Sequence, residues 1–482
     1  MNADLDIFSD GYVAFVKEDC PTCLLIEPVL SRLAELGQLN AVFSQDNKDF
    51  PALDITIDDS DLRLSFQHGI ETVPSLLKFQ NGVEVGRLVG WLKSEWEDFC
   101  ESPDLCSESF QNFSPGCGSL SVSPDLLPSL EKRYGSGLGS RLVEFAAAED
   151  EVERMYELGW SDGLPLVPPT SERVLRMLDG TTRSSDEILA SVPPNLVDLS
   201  IEKIAINAVM AGARPEYMPV ILASIEAALN PKFTLHGVLC TLFFSGPVII
   251  VNGPITKSIG MNWGHNVFGQ GNRANATIGR TLQLVVRNIG GGRPGEIDRA
   301  VFGNPGKYTF CFAEDETDPE WEPLHISRGC TAGSNAVTLH HGHGTQAFAD
   351  DTARSADQLA KSLSMSLVNE LHPKKVQCAN VIVAISPEHY KIYKNDGWGR
   401  KDIEDALHHY TTRPGADLIK GAHGIDEGID PKLAEEMVPK FWRDHGILLI
   451  RAGGTAGLQT AIIGGWGGGR NRNEIQPVTH QF

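Results

Sequence analysis

Residues 11–16, GYVAFV, form an unbroken apolar run of strand length, and the run breaks at KEDC. LLIEPVLSRLAELG then repeats apolar positions at helical spacing. The pattern predicts a buried strand, a turn and a helix with Gly37 as its C-cap. Farther on, LSFQHGIETVPSLLKFQNGVEVGRLVG predicts a helix end, a strand, a hairpin turn at Asn81 and Gly82, and a second strand. Residues 101–140 lose this periodicity and turn to Ser, Pro and Gly, as a domain boundary does. Beyond it, helical and short apolar segments alternate. IEKIAINAVMAGARPEYMPVILASIEAALN reads as two helices broken at Arg214 and Pro215, and GPVIIVNGPI as a buried strand ending in a turn at Asn252 and Gly253. The expectation is an α/β chain in three parts. These are a first domain over 1–102, a flexible Ser/Pro/Gly-rich linker over 103–140, and a large α/β domain over 141–482 whose division into two subdomains stays open.

A chain of 482 residues exceeds one ordinary domain. Its net charge of −22 would repel nucleic acid or an anionic membrane. MNADLDIFSDG has neither the basic nor the apolar segment of a secretory signal, and no apolar run reaches the ~20 residues that span a bilayer. Nine cysteines in so long a chain make no disulfide scaffold. These features point to a cytoplasmic protein with reduced thiols.

Cys20 and Cys23 stand two residues apart where the first helix begins. There the unpaired N–H groups and the positive end of the helix dipole favour a thiolate at Cys20. A zinc site needs a second pair of ligands, which His68 alone does not supply. The order β–CxxC–α–β–α–(T)VP–β–NG–β–VG–α resembles thioredoxin over residues 8–100. That resemblance implies a thioredoxin-like fold followed by the large α/β domain. It also implies a cis peptide before Pro74, with Val73 and Pro74 shaping the redox site. Three positions depart from the family. Asp19 replaces the usual Trp before the first cysteine and should oppose a thiolate there. Ala14 replaces the buried acid, and Pro-Thr replaces Gly-Pro between the cysteines.

Within the linker, PGCGS places Cys117 between two glycines, which permit tight turns. From Cys117 onward the chain is similar to a family of uncharacterised bacterial proteins, through PGCGS, GWSDGLPLVPPT, EKIAINAVMAGARPEY, NVFGQGNRANATIGR, GKYTFCFAEDE and a terminal PVT. The CGS stretch also resembles the U-G-S-C motif of a small selenoprotein family, with Cys117 in the place of selenocysteine. Leu120 stands where that motif ends in cysteine. The likeness implies a reactive thiol at Cys117 that Cys20 and Cys23 resolve.

In the large domain, TLHGVLC sets His236 just before an expected apolar strand. MNWGHNVFGQGNRANATIGR gathers Asn262, His265, Asn266, Gln270, Asn272, Arg273 and Asn275 among glycines. Amides and a guanidinium suit an oxygen-rich or anionic small molecule, or else simply shape an irregular loop. No P-loop and no dinucleotide fingerprint is present. His340, His341 and His343 in TLHHGHGTQ are the candidates for a metal, on an expected loop. AGGTAG and GGWGGG read as anion-receiving turns or as plain tight turns. Cys240, Cys311, Cys330 and Cys378 read as buried inert thiols, with Cys330 the reserve candidate for reactivity.

The expected function is that of a thiol-dependent oxidoreductase. The CxxC pair would reduce Cys117 in cis, Cys117 would serve a small-molecule site in the large domain, and an external thiol would be the reductant. No cofactor beyond a redox-active disulfide is expected. Two alternatives stay open: a metal-dependent or nucleophilic lyase or hydrolase acting on a sulfur- or heavy-element compound, and a thiol-disulfide isomerase or chaperone. A homo-oligomer also stays open.

Overall fold

The computed structural model describes residues 7–130, 134, 138–141, 143, 145, 149–377, 380–466 and 476–482. The chain is α/β and divides into two units, Met1–Val143 and Glu144–Phe482. Among the described residues, no helix is long and apolar enough to cross a membrane.

In the first unit the run GYVAFV is strand β1 (Gly11–Val16), followed by helix α1 (Pro21–Glu35), β2 (Leu39–Ser44), β3 (Thr56–Asp58), α2 (Arg63–Gln67), β4 (Thr72–Val73), β5 (Ser75–Gln80), β6 (Val83–Val89), β7 (Trp91–Leu92) and α3 (Lys93–Phe99). The sheet order is β3-β2-β1-β5-β6. The pairs β1–β2 and β2–β3 are parallel, whereas β1–β5 and β5–β6 are antiparallel. The central strands β1 and β2 are buried along nearly their whole length and are mostly apolar, as strands covered on both faces are. Asn81 and Gly82 both take positive φ, as a two-residue turn between β5 and β6 requires. Helix α1 buries Cys23, Ile26, Val29, Leu30 and Leu33 against the sheet. It carries Pro28 in its interior, where proline removes one i→i−4 hydrogen bond. Leu36 is its C-cap, and Gly37 follows in the left-handed conformation.

The segment expected as a flexible linker is, over its described residues, largely folded into this unit. Strand β8 (Phe113–Ser114) pairs with β7, and β9 (Cys117–Gly118) pairs antiparallel with β4, with Val73 opposite Cys117. Composition alone misleads here: two serines of this stretch are buried hydrogen-bonding partners rather than solvated spacer. Ser119 and Ser121 are almost wholly buried.

After helices Glu151–Glu157 and Ser171–Leu178, the large unit has a hairpin, β10 (Ile188–Val192) with β11 (Val197–Ser200), and then helices α4 (Ile201–Ala211) and α5 (Met218–Leu229), separated at Pro215 as expected. Its main sheet holds β12 (Gly246–Asn252), β13 (Cys311–Ala313), β14 (Ala336–Ala349), β15 (Val381–Ile385), β18 (Ile447–Arg451), β19 (Gln459–Gly465) and β20 (Val478–Gln481). A separate short hairpin joins β16 (Arg413–Pro414) to β17 (Met437–Val438). Helix α6 (Arg273–Asn288) packs on α4, and α7 (Ala356–Leu367), α8 (Pro387–Asn395) and α9 (Arg400–Thr411) cover one sheet face. Alternate residues of β15 and β18 feed two cores. Val381, Val383, Ile385, Ile447 and Leu449 face α7–α9, while Ile382, Ala384, Leu448 and Ile450 join Val248, Ile250 and Phe312. Two buried ion pairs close the strand ends. Arg400 meets Glu314 at 3.1 Å, and Arg451 meets Asp315 at 2.8 Å. Bidentate pairing of Arg280 with Asp162, at 2.8 Å each, ties the GWSDG phrase to α6.

Candidate active site

Cys20 is the N-cap of α1, with extended backbone angles, and its sulfur accepts the Cys23 backbone N–H at 3.4 Å. Pro21 follows at the first helical position, where a missing N–H costs nothing. The Val73–Pro74 peptide is cis, and Cys20 Sγ lies 3.6 Å from Val73 O. Cys20 and Cys23 have no exposed surface, whereas Cys117 is half-buried. Cys117 lies opposite Val73, whose carbonyl Cys20 Sγ contacts, so the three cysteines share one site.

This group is electrostatically uneven. The Cys23 side chain donates to the Cys20 sulfur and lowers its pKa to about 5, against the upward push of burial. The Cys117 side chain and the Cys23 and Thr22 backbone N–H groups help. Burial, and then donation to Cys20, hold the Cys23 thiol far above its ordinary range. Burial and the Cys20 sulfur raise Cys117 in the same direction. One proton-poor sulfur therefore sits between two protonated ones. The expected opposition from Asp19 does not prevail: Asp19 is solvent-exposed, where water screens its charge.

What holds Cys117 in place went unread in the sequence. Thr22 donates its hydroxyl to Pro115 O at 2.5 Å and shares a hydrogen bond with Ser114 at 2.7 Å. The buried Gln45 amide donates to Ser65 and Ser119 at 2.8 and 2.7 Å and accepts from Leu120 N–H at 2.9 Å. Ser121 donates to Ile70 O at 2.6 Å. Gly116 packs so closely that an added Cβ would lie 2.3 Å from Thr72 Cγ2 and 2.9 Å from Val73 O. PGCGS could have signalled this approach, but nothing near Gln45 in the sequence marks it.

The residues expected to bind substrate in the large unit are mostly engaged with their own loop. Asn275 exchanges hydrogen bonds with the backbone of Asn262, which in turn holds His265 O and Gly264 N–H. Asn266 donates to Gln270 O, and Asn272 caps α6 and holds Gly260 O. Arg273 donates to Gly212 O and Ala213 O. His265 lies against Gly454. These contacts are the ones by which the amides shape their own loop. His236 does not precede a strand; it is exposed on a short helix, Leu235–Cys240, and the strand begins at Gly246. A groove of about 430 Å³ in this unit is lined by residues 179–183, Pro219, Leu222, Glu226 and Phe482, none of them in the expected set.

The three clustered histidines are not on a loop but in β14; His340 and His341 pair with β12 and are buried, whereas His343 lies just beyond that pairing and is partly exposed. Burial lowers His340 well below the usual histidine range and takes His341 to about 4. His341 bonds Phe233 O at 2.6 Å, and His343 bonds Glu370 at 2.5 Å. Among the described residues, no three His, Cys, Asp or Glu side chains converge on a point that suits a metal. Cys240 is exposed rather than buried, because it ends the short helix instead of opening a strand. Cys311 is buried, and burial raises the pKa of both Cys311 and Cys330, the reserve candidate. Cys378 lies outside the described residues, as does the second half of GGWGGG. The chain matches no model of a known protein family and no curated protein sequence.

Proposed function

We infer that the first unit is a thioredoxin-like thiol-disulfide oxidoreductase whose centre has three sulfurs rather than two. The observation that carries this reading is the pairing of Val73 with Cys117, which sets Cys117 beside the residue whose carbonyl Cys20 Sγ contacts. The strand order, the CxxC at a helix N-terminus and the cis Pro74 beside it support the thioredoxin-like assignment. Reduction begins with an oxidised Cys117, carried as a mixed disulfide with an outside thiol. The Cys20 thiolate attacks the Cys117 sulfur, and the outside thiol leaves with the electron pair of the broken bond. Cys23 then loses its proton and attacks the Cys20 sulfur, releasing Cys117 as a thiolate that takes up a proton. Two electrons pass from the CxxC pair to the outside sulfur, and the CxxC pair ends as a disulfide.

Cys117 is held in place, so its reduction needs no swinging tether. The metal-dependent alternative has no converging ligand set to support it among the described residues. In the cytoplasmic setting proposed for this chain, an external thiol would restore the CxxC pair.

The test is a Cys23→Ser chain, in which the second step is blocked. After mild oxidation, digestion and mass spectrometry, the expected product is a Cys20–Cys117 disulfide. Recovery of Cys20 bonded only to other proteins, with Cys117 free, would refute the three-sulfur reading.

A further inference from the structure

Resting on that reading, we propose that the outside partner of this centre is a low-molecular-weight thiol and its disulfide, exchanging at Cys117, and not a polypeptide. Three observations lead there. Cys117 alone of the three sulfurs reaches the surface. An extended peptide binds by adding to a free strand edge, and the edge of β4 facing the redox pair is already taken by β9. The covering segment is also locked down. The buried Gln45 amide holds Ser119 and Leu120, Thr22 holds Ser114 and Pro115, and Gly116 touches Thr72 and Val73 with no room for a side chain. A folded client would have to break this network to reach Cys20, while a small molecule need touch only the half-exposed Cys117.

The exchange balances. A small thiolate attacks the Cys117 sulfur of a Cys20–Cys117 disulfide; the S–S bond breaks, and Cys20 leaves as a thiolate held by the N–H and S–H groups around it. A second small thiolate attacks the bound small-molecule sulfur and releases Cys117, which takes a proton. Two small thiols are oxidised to one small disulfide while two protein cysteines are reduced. The thiol of lower pKa is the better leaving group, which directs attack to Cys117.

The test uses the full Cys23→Ser chain oxidised to the Cys20–Cys117 disulfide, then treated with reduced glutathione or with a reduced thioredoxin at equal thiol concentration. The proposal expects glutathione to open the disulfide at least tenfold faster, with the glutathione adduct on Cys117. Glutathione found on Cys20, or thioredoxin as fast as glutathione, would overturn it. The same pair of reductants applied to Gly116→Ala in that background separates access from intrinsic thiol reactivity. Loosening the segment should narrow the ratio severalfold, and an unchanged ratio overturns the occlusion argument. If the Cys20–Cys117 disulfide never forms, the three-sulfur reading fails together with the proposal. If it forms but opens only to thioredoxin, the proposal fails alone.

Discussion

At the scale of residues, the chemistry rests on one sulfur whose charge is stabilised by its neighbours. Cys20 is the proton-poor member, with a pKa near 5 instead of 9.0, because Cys23 donates to it first and Cys117 and backbone N–H groups add to that. The thiolate absorbance near 240 nm should therefore show a step at about pH 5 in the full chain, and Cys20→Ser should abolish it. A step appearing only above pH 8 would contradict the assignment. Cys23→Ala removes the largest cause and should move the step upward. Because the folded pKa lies below the unfolded one, the thiolate adds stability that is full above about pH 9 and lost as pH falls through about 5. Denaturant midpoints of the wild-type and Cys20→Ser chains should converge toward pH 5, and a gap that widens on acidification would contradict this. The low pKa at Cys20 was legible in the sequence, since a cysteine two residues before another at a helix start predicts it. Its main cause was not, because side-chain donation from Cys23 and Cys117 depends on tertiary placement.

Among the elements, the segment from β8 through β9 decides which sulfurs meet. Its Ser, Pro and Gly content reads as spacer, yet Gln45, Ser65, Ser119 and Ser121 form a buried network in which each polar group finds a partner. Long-range pairing of this kind leaves no periodic trace, so local composition gives the opposite answer. Gln45→Ala would strand the Leu120 N–H, while Ser65 keeps Asp59 and Ser119 keeps Ser121, at a cost of ~1–3 kcal/mol. Urea denaturation checks this, and a change under a few tenths of a kcal/mol would mean that the network is not a tie. Gly116→Ala forces a Cβ against Thr72 and Val73, an overpacking cost of ~1–3 kcal/mol. It should also lower the yield of the Cys20–Cys117 disulfide. In the large unit, the helices α4 and α5 and the strand β12 followed their apolar patterns closely. The histidine run did not, because TLHHGHGTQ looks polar but continues a strand whose first half is apolar.

For the whole molecule, the three-cysteine cluster and the ion-paired sheet belong to different units. All three sulfurs and their supporting network fall within Met1–Val143. A chain ending at residue 143 should accordingly keep the 240 nm step near pH 5, and its loss would show that the large unit sets the Cys20 charge. Arg400→Ala strips the partner from the buried Glu314 and should destabilise the large unit by ~3–5 kcal/mol. That loss should leave the Cys20 titration where it was. The division into a smaller and a larger α/β part was legible from composition, with the larger part expected from 141 and found from 144, whereas the folding of the described residues between 103 and 130 with the first unit was not.

The most direct measurement follows the wild-type reduced chain through oxidation by a small disulfide, with acid quenching at intervals and mapping of every disulfide. A Cys20–Cys117 bond that appears first and then gives way to Cys20–Cys23 is the predicted order. Direct appearance of Cys20–Cys23 with Cys117 reduced throughout would contradict the three-sulfur centre.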